Sequence, residues 1–259
     1  MLAPMRATIT DDELPRLLDL LGEADSVELK VTVPDSDHRS AVQALGIDPI
    51  EAEIRQVFFL DTPELDLYRH GVVVRARRAR GRGDTVVKLR PVAPPDLPAA
   101  LRRSRDFGVE VDAMPGSFVC SGSLKGSADV QAIREAAAGD RPLRKLFSKA
   151  QRALYREHAP DGLELDGLQV LGPVLALRLK FTPAELARRV TAELWLYPDD
   201  SRVLELSTKC RPAEAFQAAA EARAHLTRHG VDLEGEQQAK TRRALEFFTA
   251  RTPTTARPG

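Results

Sequence analysis

A strict two-residue alternation runs through Ser26-Val27-Glu28-Leu29-Lys30-Val31-Thr32-Val33. Successive side chains of a β-strand point to opposite faces. Val27, Leu29, Val31 and Val33 therefore fall on one face, and Ser26, Glu28, Lys30 and Thr32 on the other. The pairing of an apolar with a charged face returns at Gly71 to Arg78, Thr85 to Arg90, Asp106 to Asp112, Val190 to Tyr197 and Val203 to Lys209. Repeated along a chain of 259 residues, it makes a β-rich architecture the expected frame. The charges are also sorted by sign. Arg75, Arg77, Lys88 and Arg90 load two neighbouring strands with cations, whereas Glu110 and Asp112 make the next strand acidic.

Between these strands the chain supplies turns and helices. Asp11 to Leu21 is amphipathic and ends at Gly22, and Ser36 or Asp37 can cap a short helix through Leu45, closed by Gly46. Arg55 to Leu60 is rich in β-formers and runs into the turn signal Asp61-Thr62-Pro63. Gly81 to Asp84 supplies a hairpin connection, Pro91 to Pro98 a proline-rich one, and Met114 to Gly126 reads as an irregular loop. Ala128 to Ala138 reads as a helix stopped by Gly139, while Leu146 to Glu157 is open between helix and strand. Asp161 to Phe181 reads as one or two strands broken at Gly172-Pro173, with Glu164 and Asp166 alternating with apolar neighbours. Pro183 to Arg189 reads as a helical turn. Pro212 to His229 and Glu236 to Ala250 carry apolar stripes at helical spacing. One domain over residues 1–250 is expected, followed by a frayed Thr, Pro and Arg tail at 251–259.

Lys and Arg number 38 and Asp and Glu number 38, so no net field draws the chain to nucleic acid or anionic membrane, and neither is an expected partner. Met1 to Arg6 has no apolar signal-peptide core, and Val170 to Leu179 is too short and too interrupted to span a bilayer. Cys120 and Cys210 lack His or Cys neighbours at metal-ligand spacing, which fits inert thiols in a reducing, cytoplasmic setting.

Two arrangements accommodate so many charged strand faces. A sandwich would turn them all to water. A closed antiparallel barrel with a charged lumen would turn them inward and cover its apolar exterior with helices. Sorting by sign favours the second, because a solubilising surface intersperses its charges and the amphipathic helices provide a covering layer.

In order along the chain stand Glu28-Leu29-Lys30, Phe58-Phe59-Leu60-Asp61-Thr62-Pro63, Arg75-Ala76-Arg77, Val87-Lys88-Leu89, Glu110 with Asp112, and Lys149-Ala150-Gln151-Arg152. Each is common alone. In this order they resemble the CYTH superfamily, the triphosphate tunnel metalloenzymes, over about Ser26 to Lys209. The resemblance implies an α+β fold built on a closed, eight-stranded antiparallel barrel that holds a triphosphate in its lumen. It also implies a later basic strand at Lys149 to Arg152.

On that basis Arg75, Arg77, Lys88, Arg90, Lys149, Arg152 and Lys209 are the expected phosphate ligands, since guanidinium forks and ammonium groups hold phosphate oxygens through charge-assisted hydrogen bonds. Glu28, Glu110, Asp112, Glu193 and Glu205 are the expected ligands of Mg²⁺ or Mn²⁺, hard ions that take carboxylate oxygens. Glu28 and Lys30 are the candidate catalytic pair, with Lys30 and Lys209 also shaping the field. The implied function is metal-dependent hydrolysis of inorganic or organic triphosphate by a monomer or homodimer. A class IV-type adenylate cyclase and a non-catalytic polyphosphate or nucleotide binder are the alternatives. The chain departs from the family in two places. Ser26 stands where the motif has its first Glu, and Leu171 to Arg178 carries no Glu where the family often has a pair, leaving Glu193 and Glu205 as candidates to replace it.

Weaker signals remain. His225 and His229 are four apart on an expected helix but show no third ligand nearby in sequence, which reads as exposed helix surface. Gly81-Arg82-Gly83 lacks the context of a phosphate-binding loop. Trp195 and Tyr197 read as packing, or as stacking partners for a nucleobase.

Overall fold

The computed structural model describes residues 9–233, 235–237 and 239–250, so the expected tail at 251–259 and the segment Met1 to Arg6 lie outside the described residues. In chain order the elements are α1 (Leu14–Glu23), β1 (Ser26–Val33), α2 (His38–Ala44), β2 (Glu53–Asp61), α3 (Asp66–Arg69), β3 (Val72–Ala79), β4 (Arg82–Leu89), α4 (Ala99–Arg102), β5 (Phe107–Met114) and β6 (Ser117–Ala128). There follow α5 (Val130–Ala138), α6 (Lys149–His158), β7 (Gln169–Phe181), β8 (Val190–Leu196), β9 (Arg202–Cys210), α7 (Ala215–Arg228) and α8 (Lys240–Thr249). The strands form a closed barrel in the order β1-β5-β6-β4-β3-β2-β7-β8-β9. The expected eight antiparallel strands are thus nine among the described residues, and the sheet is mixed because β1 and β5 run parallel.

The ninth strand is β6, which reads as a loop because Ser and Gly dominate it. Its glycines answer to close approach instead. A Cβ at Gly122 would meet the Phe107 ring at 2.6 Å, and one at Gly126 would meet Gln151 Oε1 at 2.5 Å. Gly172 likewise does not break β7: its φ is +141°, and a Cβ there would lie 2.8 Å from the Val57 carbonyl. Two expected boundaries also move. Gly22 sits inside α1 rather than after it, and 182–189 is an irregular turn, with the Leu186 N–H donating to the Pro183 carbonyl at 3.1 Å.

The chain folds as two compact units. Residues up to Arg55, Arg90–Ser123 and Leu175–Gln238 form the first, and Gln56–Leu89, Leu124–Val174 and the residues from Ala239 form the second. In the first unit the apolar faces of β1, β8 and β9 supply Val31, Val33, Ala192, Leu204 and Leu206 to a core closed by Ala41 of α2 and Leu226 of α7. Each buried Val or Leu among them contributes roughly 1.5–3 kcal/mol. Cys120 and Cys210 are buried and are not halves of a disulfide. Among the described residues no helix is long and apolar enough to cross a membrane.

In the second unit β3 and β4 pair around a two-residue turn at Arg80-Gly81, where both residues have positive φ. Asp61 ends β2 and accepts the backbone N–H groups of Thr62, Leu67 and Tyr68 at 2.8, 2.9 and 3.0 Å, which ties the motif Asp61-Thr62-Pro63 to the start of α3. Lys149 to Arg152 forms the first turn of a helix and not the expected basic strand. Ser148 and Gln151 form a reciprocal capping box there. The fully buried Gln151 amide also donates to the carbonyls of Thr85 and Leu124 at 3.1 and 3.2 Å and accepts from the Thr85 hydroxyl at 3.1 Å. Glu164 and Asp166 do not form an acidic strand: residues Leu165–Gly167 make a 3₁₀ turn, and Asp166 accepts the Arg144 N–H at 2.8 Å.

Gln151→Leu keeps the volume but takes the amide away from two buried carbonyls, each a group whose lost partner costs about 1–3 kcal/mol, and from the partly buried Ser148 N–H of the capping box. Chemical denaturation is expected to show a loss of about 3 kcal/mol or more. An unchanged midpoint would remove Gln151 from the framework of the second unit.

Candidate functional site

Strand register assembles one charged face entirely within the first unit. The parallel β1–β5 pair sets Ser26 opposite Glu110 and Glu28 opposite Asp112. The antiparallel β1–β9 pair sets Glu28 opposite Lys209, Lys30 opposite Ser207 and Thr32 opposite Glu205. On β8, Thr191 and Glu193 oppose Ser207 and Glu205, and on β7 Lys180 and Arg178 oppose Thr191 and Glu193. Directly opposed residues share a face of the sheet. Five neighbouring strands therefore carry their polar side chains together, with the apolar core of Val31, Leu204 and Leu206 on the reverse.

Three carboxylates, Glu28, Glu110 and Asp112, place oxygens within 4.8 Å of one another. Like charges this close repel unless compensated. Lys30 Nζ lies 2.6 Å from Asp112 Oδ1 and 3.1 Å from Glu28 Oε2, Arg90 Nη1 donates to Asp112 Oδ2 at 2.5 Å, and Lys209 pairs with Glu110. Two hydroxyls also bond to the cluster. Ser207 donates to Glu28 Oε1 at 3.1 Å and Ser26 to Glu110 Oε2 at 3.2 Å. The Asp112 side chain is 1% exposed and has a cation on each oxygen. Burial pulls the Lys30 pKa down, but Asp112, Glu28 and Glu205 outweigh it and hold that pKa above the ordinary lysine value.

Beside the carboxylates a cleft of about 520 Å³ is lined by Arg178, Lys180, Arg189 and Lys209 together with Glu28 and Ser207. Arg178 Nε pairs with Glu193 Oε1 at 3.0 Å. The Lys180 pKa is lowered, chiefly by the Arg178 charge, then by burial and by Arg189 and Arg55, the mark of cations crowded together. Such a wall attracts an anion.

No family model matches the chain, and no curated protein matches its sequence. Solved structures do. A candidate adenylate cyclase from Bacillus halodurans superposes with a TM-score of 0.60 at 12% identity, covering 85% of this chain and 97% of its own. A candidate adenylyl cyclase from Hippeastrum, described as having a dominant triphosphatase activity, superposes with a TM-score of 0.61 at 15% identity, covering 85% and 95%. The chain has the fold of these two proteins. At such identities the likeness is one of fold, and the motif resemblance holds at that level.

Of the expected site residues, Glu28, Lys30, Arg90, Glu110, Asp112 and Lys209 come together as described. Glu193 and Glu205 share their face but lie outside the carboxylate triad; Glu205 is buried and helps hold the Lys30 charge. Arg75, Arg77 and Lys88 belong to the second unit, where register puts them on one face of the β3–β4 hairpin and Arg77 Nε donates to Asp84 at 2.8 Å. Lys149 is exposed, and Arg152 donates to the Phe147 carbonyl at 2.7 Å, both on α6. Trp195 and Tyr197 are buried, which answers to packing. Arg178, Lys180, Arg189 and Ser207 are cleft residues that the sequence reading does not single out. Arg178-Leu179-Lys180 carries the same alternating basic signal as Arg75-Ala76-Arg77, whereas Arg189 lies in an irregular turn without any pattern.

Removing one partner of a buried ion pair costs about 3–5 kcal/mol, because the other charge is stranded. Lys30→Met is expected to lose about that much. A raised lysine pKa contributes stability in full below the unfolded value of 10.5, and that contribution fades only as pH rises beyond it. The difference between Lys30→Met and the parent should therefore stay flat from about pH 7 to 9 in denaturant titrations. A difference near zero would mean that Lys30 is not the compensating charge.

Proposed function

We propose that the protein is a metal-dependent hydrolase of triphosphates, inorganic or organic, with the substrate seated on the charged face of the first unit. One observation carries the reading: a compact carboxylate triad, Glu28, Glu110 and Asp112, borders a cleft walled by Arg178, Lys180, Arg189 and Lys209. Anion and cation sites in contact are what a metal-bound polyphosphate requires.

The donor set fits a hard divalent ion, being all carboxylate oxygen, and Glu28 and Glu110 are the residues to hold Mg²⁺ or Mn²⁺. Such an ion, when bound, polarises a phosphoryl oxygen and acidifies a water. Asp112, with both oxygens taken by Lys30 and Arg90, acts as the anchor that fixes those two cations. Arg178, Lys180, Arg189 and Lys209 receive the phosphate oxygens and neutralise charge on the transferring group. Glu28, held by Ser207 at the edge of the cleft, orients the attacking water, and Lys30 remains cationic to balance it. The Hippeastrum protein's triphosphatase activity supports the reading by shared fold, and the burial of Trp195 and Tyr197 leaves no aromatic platform from these two residues for a nucleobase.

Phosphate release should appear with Mg²⁺ or Mn²⁺ on at least one of tripolyphosphate, ATP and thiamine triphosphate. Arg178→Ala should raise KM about tenfold or more, because a charge-assisted hydrogen bond is worth about 1.5–3 kcal/mol. Glu110→Gln should instead depress the metal-dependent kcat. Cyclic nucleotide formation from ATP would move the reading to a cyclase. Binding without turnover under every condition would move it to a sensor.

A further inference from the structure

The two histidines that read as surface from sequence do not both lie there. His225 is 5% exposed, and among the described residues neither of its ring nitrogens has a hydrogen-bond partner. His229, one turn on along α7, packs against it with ring centroids 4.4 Å apart and tilted by 46°. The third partner missing in sequence comes from the irregular turn between β7 and β8. Glu185 brings a carboxylate oxygen to within 4.8 Å of one nitrogen of each histidine.

We propose that Glu185, His225 and His229 form a site for a zinc-class transition-metal ion, distinct from the carboxylate triad and independent of the proposed function. Histidines at i and i+4 present both rings on one side of a helix, which suits a shared ion. His229 Nδ1 donates to the His225 carbonyl at 2.9 Å, so the lone pair stands on Nε2, as in metal sites where the second ring nitrogen is anchored to backbone. Imidazole nitrogen selects Zn²⁺, Co²⁺ or Ni²⁺ over Mg²⁺, which prefers all-oxygen sites. Arg228 Nη1 now pairs with Glu185 at 3.1 Å, but both side chains are more than half exposed, and an exposed ion pair yields readily to a metal. Three protein ligands leave a fourth position for water.

The place of the site gives it a consequence. The turn that carries Glu185 also carries Ala187 and Arg189 of the anion cleft, and Arg188 already ties it to Glu221 of α7 at 2.5 Å and to Glu214, the residue before that helix, at 3.3 Å. A metal at Glu185, His225 and His229 replaces the exposed Arg228 pair with a three-ligand tie between that turn and α7, beside the Arg188 pairs, setting the wall of the cleft from outside.

The test is calorimetric titration of the chelator-stripped full chain with Zn²⁺, in parallel with Co²⁺ titration read by visible absorption. One equivalent should bind, with d–d bands of a site containing nitrogen donors, and excess Mg²⁺ should not displace it. His229→Ala and Glu185→Ala, both outside the core, should each weaken zinc at least about tenfold, while Glu110→Gln leaves it within about twofold. His225→Ala should abolish binding, but its buried position makes the two surface variants the deciding ones. Zinc affinity unchanged in His229→Ala, or lost in Glu110→Gln instead, would overturn the assignment, as would the absence of binding to the parent chain.

Discussion

A largely buried lysine held charged by its neighbours sets the terms for the first unit. Lys30 sits between Asp112 and Glu28, with Glu205 adding its field, and Asp112 in turn is shared with Arg90. Taking ions out of water costs several kcal/mol each, so this network is a poor source of net stability. Its value is in register. Sliding β1 by one residue against β5 or β9 would turn Lys30 and Glu28 into the core of Val31, Leu204 and Leu206, and would leave Asp112 buried without a cation. The apolar core stabilises the unit, and the ion network selects which pairing of strands is allowed.

That division of labour explains what could be read from the chain. The alternation of β1, β5, β8 and β9 is a local signal with a period of two, and it located both the strands and the side chains that share their polar face. Glu28, Lys30, Glu110 and Asp112 were legible for the same reason. β6 was not, because its small residues are dictated by the Phe107 ring and the Gln151 amide, which are distant in sequence. Lys149 to Arg152 misled for a related cause: its basic residues imitate a strand motif, while the capping box of Ser148 and Gln151 makes it the start of a helix. Arg189 and Glu185 come from an irregular turn, whose course depends on ion pairs to α7 and leaves no periodic trace.

Ser26 can now be assigned a physical role. In the family motif that the chain resembles a Glu occupies this position; here its hydroxyl donates to Glu110 at 3.2 Å. The three carboxylates of the cluster, Glu28, Glu110 and Asp112, meet three cations, Lys30, Arg90 and Lys209. A fourth carboxylate opposite Glu110 would upset that balance, and Lys209 would have to serve both. Serine keeps the position polar and leaves the charge count even.

An even count also determines how the face can respond to a ligand. Asp112 and its cations are buried or half-buried and cannot change partners without stranding a charge, whereas Lys209 is 55% exposed and lines both the carboxylate cluster and the cleft. Under the proposed function, positive charge arriving at Glu28 and Glu110 makes the Lys209 pair redundant at the moment that phosphate offers it a new partner. Lys209 could then change partner by rotation of an exposed side chain, with no strand displaced, while Asp112 keeps Lys30 and Arg90 in place. On that reading, binding of metal and of polyphosphate would be coupled through that one exchange, because each would relieve the imbalance the other creates.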